Sequence, residues 1–547
     1  MVSASMFKPI IDDQYTAAKA YFLCVIGMLF FESMLHLPSY LLLRYRKGRP
    51  ALRSKKHSKL RTAIHKLVAL PSAIPFITHN NLPILLRVSV FTLLNFLWGW
   101  NKFLYTTNYQ LYGWLTIANG GLGLLFGSRS NLFATLARIP SSVLLMYHRW
   151  IGLATFVHAT LHVSLIIQHY VKTNQFAIAS QAPRIPAGLA AWICLAIIAL
   201  LSIPSIVRRR WFEAFYYPHF LFIVFVAGAL YHAKKGPEFL LPGFGLWVID
   251  RAIRFYNNFR AVEVKSVTHY SDVTKFQIGG VRPSHPGQIA WVQIPSISFF
   301  NWHPFTIASA PGQDTATIAV RALGSYTRKL QMTDGNTMEM APMTAGSDTG
   351  LVDMARPPKV RIDGPYGVGR IQWGQHPVVV LVAGGIGITP SISIATHIVN
   401  QAAAGVIPPN GPGWHVHLLW TVKDLSNLAW FEEELKNLAT MASDPAVSAT
   451  LDVTIHVTKD NVSRMETASV TEQTVEKMYR YEGPGQVFQG RPDMMKWFED
   501  VRDTRRGMDA SVNLCGPTPM VDSARTAASK ASCEDILFHV EEEVFNF

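Results

Sequence analysis

The sequence holds little cysteine and comparatively little acid. Cys24, Cys194, Cys515 and Cys533 are its only four cysteines in 547 residues, scattered and without metal-type spacing. Two fall in apolar runs and two in the polar half, so neither a disulfide framework nor a zinc site is expected. A basic leader is missing as well: Met1–Ala17 is polar and acidic, which argues against a cleaved signal peptide. There is no internal repeat. Asn461–Val462–Ser463 is a glycosylation sequon by letters alone, since its expected side of the membrane is the cytosol. Asp and Glu number 36 against 50 Lys and Arg, a net charge of +14. The placement of that excess excludes a nucleic-acid partner. Arg44, Arg46, Lys47, Arg49, Arg53, Lys55, Lys56, Lys59 and Arg61 follow the first apolar run, Arg208–Arg210 a later one, and Arg251, Arg254 and Arg260 the last. This is the positive-inside pattern of a multi-pass protein whose partner is the lipid bilayer.

Apolar residues make up 49% of the chain and crowd its first half. Seven spans are expected, at about 17–44, 84–104, 110–127, 142–170, 188–205, 213–233 and 239–256. With the basic loops inside, the N-terminus lies outside, and so does Ala233–Glu238. Everything after about Arg254 is cytosolic. The fold class is thus an α-helical membrane bundle followed by a cytosolic module with an antiparallel β-barrel and an α/β nucleotide-binding domain. The expected boundaries are 1–83 for a first span and basic loop, 84–257 for the membrane core, 258–370 for the barrel and 371–547 for the α/β domain.

Histidines are the most informative residues in the apolar half. His148 and His162 are 14 residues apart, and His219 and His232 are 13 apart. At about 1.5 Å per residue each pair spans roughly 20 Å, nearly a whole number of turns. Ionisable groups at membrane depth are costly and mark a pathway or a cofactor. Two helices with matched spacing can clamp two haems, one above the other. The lysine and arginine topology independently puts His148 and His219 at the inner level, and His162 and His232 at the outer. His158, 10 residues from His148, is the alternative to His162, while His169 falls at the headgroups.

In the second half, short alternating runs such as Ile289–Ile294 suggest the barrel, and strand–helix alternation from Pro377 a parallel sheet. The motifs come in order: His303–Pro304–Phe305–Thr306, with Ser309 after it; Gly324 and Thr327 in a polar turn; Asp363–Gly364–Pro365–Tyr366–Gly367; Gly384, Gly385 and Gly387 with Thr389 and Pro390 after a strand; and Cys515–Gly516–Pro517 near the end. Glycines after a strand let phosphates reach a helix N-terminus.

In this order the set resembles flavoenzymes of the ferredoxin-NADP reductase type. Joined to the histidine helices, residues 84–547 resemble the ferric reductase and NADPH oxidase superfamily, specifically a fungal-type metalloreductase. The resemblance implies FAD, two b-type haems and NADPH as electron donor. It implies that His148 with His219 ligates the inner haem and His162 with His232 the outer one. His303, Pro304, Phe305, Thr306 and Ser309 would lie at the flavin, with Gly324 and Thr327 on its phosphate side. Gly384, Gly385, Gly387, Thr389, Pro390, Gly516 and Pro517 would take the nicotinamide nucleotide. Cys515 would stand at the nicotinamide, Phe547 would cover the flavin, and Lys423 and Arg491 would meet the 2′-phosphate.

A flavin belongs between a two-electron donor and one-electron haems. Two imidazoles per iron fill both axial positions, which makes the haems conductors. The expected acceptor is an external ferric or cupric ion or chelate, at a plasma-membrane enzyme with a cytosolic flavin domain. The alternative is a superoxide-producing NADPH oxidase. Oxidases of this kind carry a long segment over the outer haem, and Ala233–Glu238 is too short for one. Lys234 and Lys235 there would attract anionic chelates. A non-enzymatic scaffold is disfavoured by the intact motifs.

Overall fold

Long apolar runs in lipid have one economical solution, a helix that satisfies its own backbone polar groups. In this computed structural model, helices stand at all seven expected positions: α1 (Gln14–Arg46), α3 (Leu82–Gly99), α4 (Tyr109–Phe126), α5 (Ser141–Lys172), α7 (Arg184–Leu201), the pair α8 (Phe212–His219) and α9 (Phe222–His232), and α10 (Pro237–Asn258). The described residues are 13–46, 56–69, 82–99, 108–128, 141–203, 207, 211–258, 261–298, 301–332, 359–367, 373–408, 411–459 and 481–543. Phe547, Asn461–Val462–Ser463, Arg208–Arg210 and most of the basic stretch after α1 lie outside them. Among the described residues, four helical segments are long and apolar enough to cross a membrane by length and composition: Gln14–Phe31, Val143–Lys172, Arg184–Leu201 and Phe212–His232. A shorter apolar helix covers Ile84–Gly99.

The chain divides into two units, one built on residues up to Tyr45 and Pro83–Arg254, the other on Arg46–Leu82 and Phe255–Phe545. In the first, Leu111, Leu115, Ala118 and Leu122 of α4 share a buried core with Leu144, Tyr147 and Ile151 of α5 and with Tyr21 and Val25 of α1. The Tyr21 hydroxyl reaches Asn95 Oδ1 (2.9 Å) and Asn119 Oδ1 (2.7 Å), tying three helices through a buried polar contact. Glycine brings α4 and α10 together: a Cβ on Gly121 would stand 2.1 Å from the Phe239 carbonyl oxygen. Small residues at such crossings let backbones approach.

One expectation needs correction. His219 and His232 do not share an unbroken helix. The chain tightens between α8 and α9, where Leu221 N–H bonds Pro218 O (2.9 Å) and Ile223 N–H bonds Phe220 O (3.0 Å), both three residues back. Pro218 has no N–H to continue the four-residue ladder. A 3₁₀ step rises ~2.0 Å instead of ~1.5 Å, so about three such steps add the length of one α-helical residue. The 13-residue pair is thereby stretched to match the 14-residue pair on α5.

In the second unit the expected barrel region, β1 (Ala261–Val262), β2 (Val264–His269), β3 (Val273–Gly279), β4 (Ile289–Gln293), β5 (His303–Thr306), β6 (Thr315–Arg321) and β7 (Val360–Tyr366), forms two antiparallel sheets, ordered β1-β7-β4-β5 and β2-β3-β6. They share one core, with Phe276, Ile278 and Ile318 from one and Ala290, Val292 and Val360 from the other. A single bridge, Ile307 to Ile318, links them, and a closed barrel ladder is not seen among the described residues. β5 (His303–Thr306) is an edge strand, which is where a proline such as Pro304 is tolerated.

The α/β part, β8 (Val378–Gly384), β9 (Trp414–Val422), β10 (Ala449–Val457), β11 (Gln486–Gln489), β12 (Ala510–Cys515) and β13 (Phe538–Glu543), is a six-stranded parallel sheet ordered β11-β10-β9-β8-β12-β13. β8 (Val378–Gly384) is an unbroken apolar run because helices cover both its faces. Strand order reverses between β8 and β12 (Ala510–Cys515), and ligands of open α/β sheets bind at such a switch point. α2 (Lys59–Ala69), from the basic loop after α1, belongs to this second unit: Ser529 Oγ donates to Lys66 O (3.3 Å).

Candidate functional site

Facing imidazoles define the membrane part of the site. The rings of His148 and His219 stand 6.0 Å apart between centroids, and those of His162 and His232 stand 6.1 Å apart. A ring nitrogen lies about 1 Å from its centroid and ~2 Å from a bound metal, so one metal between two rings needs roughly 6 Å. Three of the four rings are fixed by a main-chain carbonyl. Nδ1–H of His148 donates to Gly123 O (2.9 Å), that of His162 to Tyr109 O (2.5 Å) and that of His232 to Arg184 O (2.8 Å). This fixes the tautomer and leaves Nε2 as the unprotonated nitrogen a metal requires. The residues therefore fit two iron-centred groups, one for each pair. His158 is elsewhere: it is buried, beside Asn119 (3.4 Å) and the Tyr112 ring.

In the second unit, β5 brings His303, Pro304, Phe305 and Thr306 to the sheet edge. The His303 ring lies 4.1 Å from that of Tyr326, whose hydroxyl accepts from Ile294 N–H (3.0 Å). Burial pushes the Tyr326 phenol up to about 12. Thr306 Oγ1 is buried without a hydrogen-bond partner among the described residues, and such an orphan calls for a polar ligand. Ser309 is engaged differently. Its hydroxyl accepts from Thr317 N–H (2.8 Å) and its carbonyl from Ser393 Oγ (2.8 Å), which makes it a brace for the β5–β6 turn. Thr327 is likewise occupied: its hydroxyl accepts from the Leu323 and Gly324 amides, both at 2.9 Å.

At the switch point the two glycine motifs interlock. Gly384 ends β8, Gly385 takes φ +56°, and Gly387 leads into α12 (Ile388–Ala403), which carries Thr389 and Pro390 in its first turn. A Cβ on Gly384 would lie 2.6 Å from Pro517 Cδ, and one on Gly387 would lie 2.5 Å from Cys515 O. Gly516 approaches Gly384 Cα to 3.0 Å by the same measure. Cys515 is fully buried beneath this junction. No side chain caps α12; its Ile388 N–H already bonds Gly385 O and Pro390 carries no N–H, so the bare glycine turn itself is the surface left open for a nucleotide.

Lys423 follows β9 and Arg491 follows β11, both exposed. Val457 of β10 pairs with Val422 on one side and Gln489 on the other, so the two basic residues flank the same end of the sheet. Two strand spacings separate those ends by about 10 Å.

Sequence reasoning missed a group around Asp509. His57 Nε2 meets Asp509 Oδ1 (2.8 Å), and His65 Nε2 meets Phe538 O (2.9 Å). His376, Asp509 and His539 bring ligand-type atoms within 4.8 Å of one another. The His376 and His539 rings are parallel within 2°, so their in-plane lone pairs run side by side and do not converge on a metal. Burial pushes the Asp509 carboxyl up, yet His539, His57 and the Leu537 amide outweigh it and hold it well below the usual carboxylate range. Burial, helped by His539, lowers His376 to about 3. The group is an electrostatic anchor for the α2 segment. A cavity of ≈ 190 Å³ is lined by Ser309, Thr317, Glu433 and Glu434 and is below the roughly 300 Å³ of ordinary ligand pockets.

Family models match the chain in the order of these parts: a ferric reductase like transmembrane component over residues 112–230, an FAD-binding domain over 257–370 and a ferric reductase NAD binding domain over 376–529. The chain belongs to the ferric reductase/NADPH oxidase superfamily. This is a family of membrane oxidoreductases with flavin- and nicotinamide-nucleotide-binding domains. Among curated relatives, a superoxide-generating NADPH oxidase heavy chain of Dictyostelium discoideum is 25% identical over 65% of this chain and 52% of its own length. Probable ferric reduction oxidase 1 of Arabidopsis thaliana is 29% identical over 48% of this chain and 37% of its own length. NADPH oxidase 1 of Mus musculus is 26% identical, over 65% and 66%. The chain spans about half the length of the curated relatives it matches.

Proposed function

We propose that this superfamily member is an NADPH-dependent metalloreductase that moves electrons across a membrane to a ferric or cupric chelate. The observation that carries this is the pair of facing imidazole couples at 6.0 and 6.1 Å. When bound, FAD takes the hydride of the nicotinamide and releases electrons singly, and bis-imidazole haems b conduct them onward. The proposed parts are residues 1–83, 84–257, 258–370 and 371–547, with seven spans, a barrel-like flavin domain on the cytosolic side and the plasma membrane as location.

His148 with His219 holds the inner group, and His162 with His232 the outer. Thr306 Oγ1 supplies the flavin with a hydroxyl that has no other partner among the described residues, and His303 packs on Tyr326 beside it. Gly384, Gly385 and Gly387 keep side chains away from the switch point, where the nicotinamide nucleotide approaches the backbone. Thr389, Pro390, Gly516 and Pro517 shape that junction. Cys515 borders the nicotinamide pocket, and Phe547 is the aromatic assigned to the flavin face. Lys423 and Arg491 clasp the 2′-phosphate from strand ends two spacings apart. Ser309 lies at the flavin and Thr327 on its phosphate side, each hydroxyl also accepting from backbone amides of its turn.

The relatives include both ferric reduction oxidases and superoxide generators, so the acceptor rests on this chain's own outer end. The link between α9 and α10 is Ala233–Gly236. Lys235 sits over the Tyr15 ring at 4.4 Å and Glu238 pairs with Lys19 at 2.5 Å, which holds this link against the bundle. Lys234 is exposed. A four-residue link is too short to cover the outer couple, which favours a bulky chelate over enclosed oxygen chemistry. The test is an NADPH-driven Fe(II) assay on membranes with a ferric chelate. A signal unchanged by superoxide dismutase is expected, and loss of the signal with dismutase would establish the oxidase alternative.

A further inference from the structure

Each of the three carbonyls that receive Nδ1–H of His148, His162 and His232 is followed four residues later by a glycine. Tyr109 is followed by Gly113, Gly123 by Gly127, and Arg184 by Gly188. In each case that glycine is what the imidazole lies against. A Cβ built on Gly113 would stand 3.0 Å from His162 Cε1 and Nδ1, one on Gly127 3.1 Å from His148 Cε1, and one on Gly188 2.5 Å from His232 Nδ1.

The geometry has a simple cause. A helical carbonyl already accepts the amide four residues on, as Gly123 O does from Gly127 N–H at 3.1 Å. Its second lone pair is reached from the side, across the surface of that same fourth residue. A side chain there blocks the approach, and glycine leaves it open. On α4 the two seats repeat at 14 residues, Tyr109/Gly113 and Gly123/Gly127, the spacing of His162 and His148 on the antiparallel α5.

We infer that Gly113, Gly127 and Gly188 are positioning residues for the haem-ligating histidines, each forming a bare seat that holds one imidazole with Nδ1 on a carbonyl and Nε2 toward the iron. This rests on the haem assignment above. Two other helical glycines provide the contrast: a Cβ on Gly152 of α5 or Gly245 of α10 would meet nothing within 4 Å.

The experiment uses the full chain in membranes, with haem and flavin counted per protein and the low-spin haem signals followed by electron paramagnetic resonance and redox titration. Gly188→Ala and Gly113→Ala should each remove or shift the same one of two haem signals, because both seats serve the outer couple. Gly127→Ala should alter the other. Gly152→Ala and Gly245→Ala should leave both unchanged. A Gly188→Ala protein with wild-type flavin content and both haem signals unmoved would overturn the inference. Where Gly188→Ala fails to accumulate, the milder contacts at Gly113 and Gly127 decide it, and two unmoved signals there overturn it equally. A wild-type protein without haem would instead remove the assignment on which the seats depend.

Discussion

His162 faces His232 ring to ring at 6.1 Å, and each is held from behind by a helix other than its own. Tyr109 O on α4 takes the Nδ1–H of the first, and Arg184 O on α7 that of the second. Four helices thus converge on one pair of Nε2 atoms. The inner couple repeats the gap at 6.0 Å although its residues are spaced differently in sequence. The tight turn after Pro218 reconciles the two spacings. Imidazoles fixed in tautomer by backbone carbonyls, at this separation, suit a metal held between them.

The outer ligand assignment is exposed to a direct comparison. His162→Ala removes one side of the outer couple, whereas His158 contacts Asn119 and Tyr112. Reduced-minus-oxidised spectra should show haem per protein falling by about half in His162→Ala. His158→Ala should retain both haems. The reverse pattern would make His158 the ligand.

The proposed role of Lys423 and Arg491 at the 2′-phosphate makes cofactor choice the readout. A hydrogen bond to a charged group contributes about 1.5–3 kcal/mol, which is roughly a 10- to 100-fold change in affinity. Lys423→Ala and Arg491→Ala should each raise KM for NADPH within that range and leave KM for NADH nearly unchanged. An equal rise for both dinucleotides would place these residues away from the 2′-phosphate.

Apolar runs made the helices legible, because length and hydropathy alone dictate a span. The Gly384–Gly387 and Cys515–Pro517 turns were legible as motifs, and the strand reversal between β8 and β12 explains why two segments so distant in sequence interlock. The contact of the Ser309 hydroxyl with the Thr317 amide was not legible, since it is a local contact that no motif encodes. The break after Pro218 was hidden by the apolar run continuing through it. Gly113 and Gly127 did carry a signal, their 14-residue spacing echoing His148 and His162. The α2 segment was not legible at all: a basic loop reads as topology, and His57 and His65 find their partners 452 and 473 residues away.

Gly387 tests the switch-point junction without touching a charge. A Cβ there would stand 2.5 Å from the Cys515 carbonyl oxygen, a backbone atom in the sheet interior that has little room to give. Overpacking of this sort costs typically 1–3 kcal/mol. Gly387→Ala should lower the Tm of the flavoreductase part by several degrees and slow flavin reduction by NADPH. Gly405→Ala, also in this domain but with open space at its Cβ position, keeps φ +74° and should cost only backbone strain.

Acid should release the α2 segment from its domain. Asp509 has a depressed folded-state pKa, so its stabilising contribution is complete above the unfolded carboxylate range near 4 and disappears as pH falls through the lower folded value. His376 acts in the same direction. Between about 3, where it protonates in the fold, and about 6.5, where it protonates unfolded, the unfolded chain binds the extra proton. Stability therefore declines as pH drops through that window, and protonated His376 would also repel His539 stacked on it at 4.5 Å. Amide hydrogen exchange across Lys59–Ala69, corrected for the intrinsic pH dependence, should lose protection progressively below about pH 6. In His57→Ala protection should already be low at neutral pH, since Asp509 then keeps no partner on this segment. Protection of Lys59–Ala69 that is flat from pH 7 to 4 would show that neither Asp509 nor His376 controls how the helix is held.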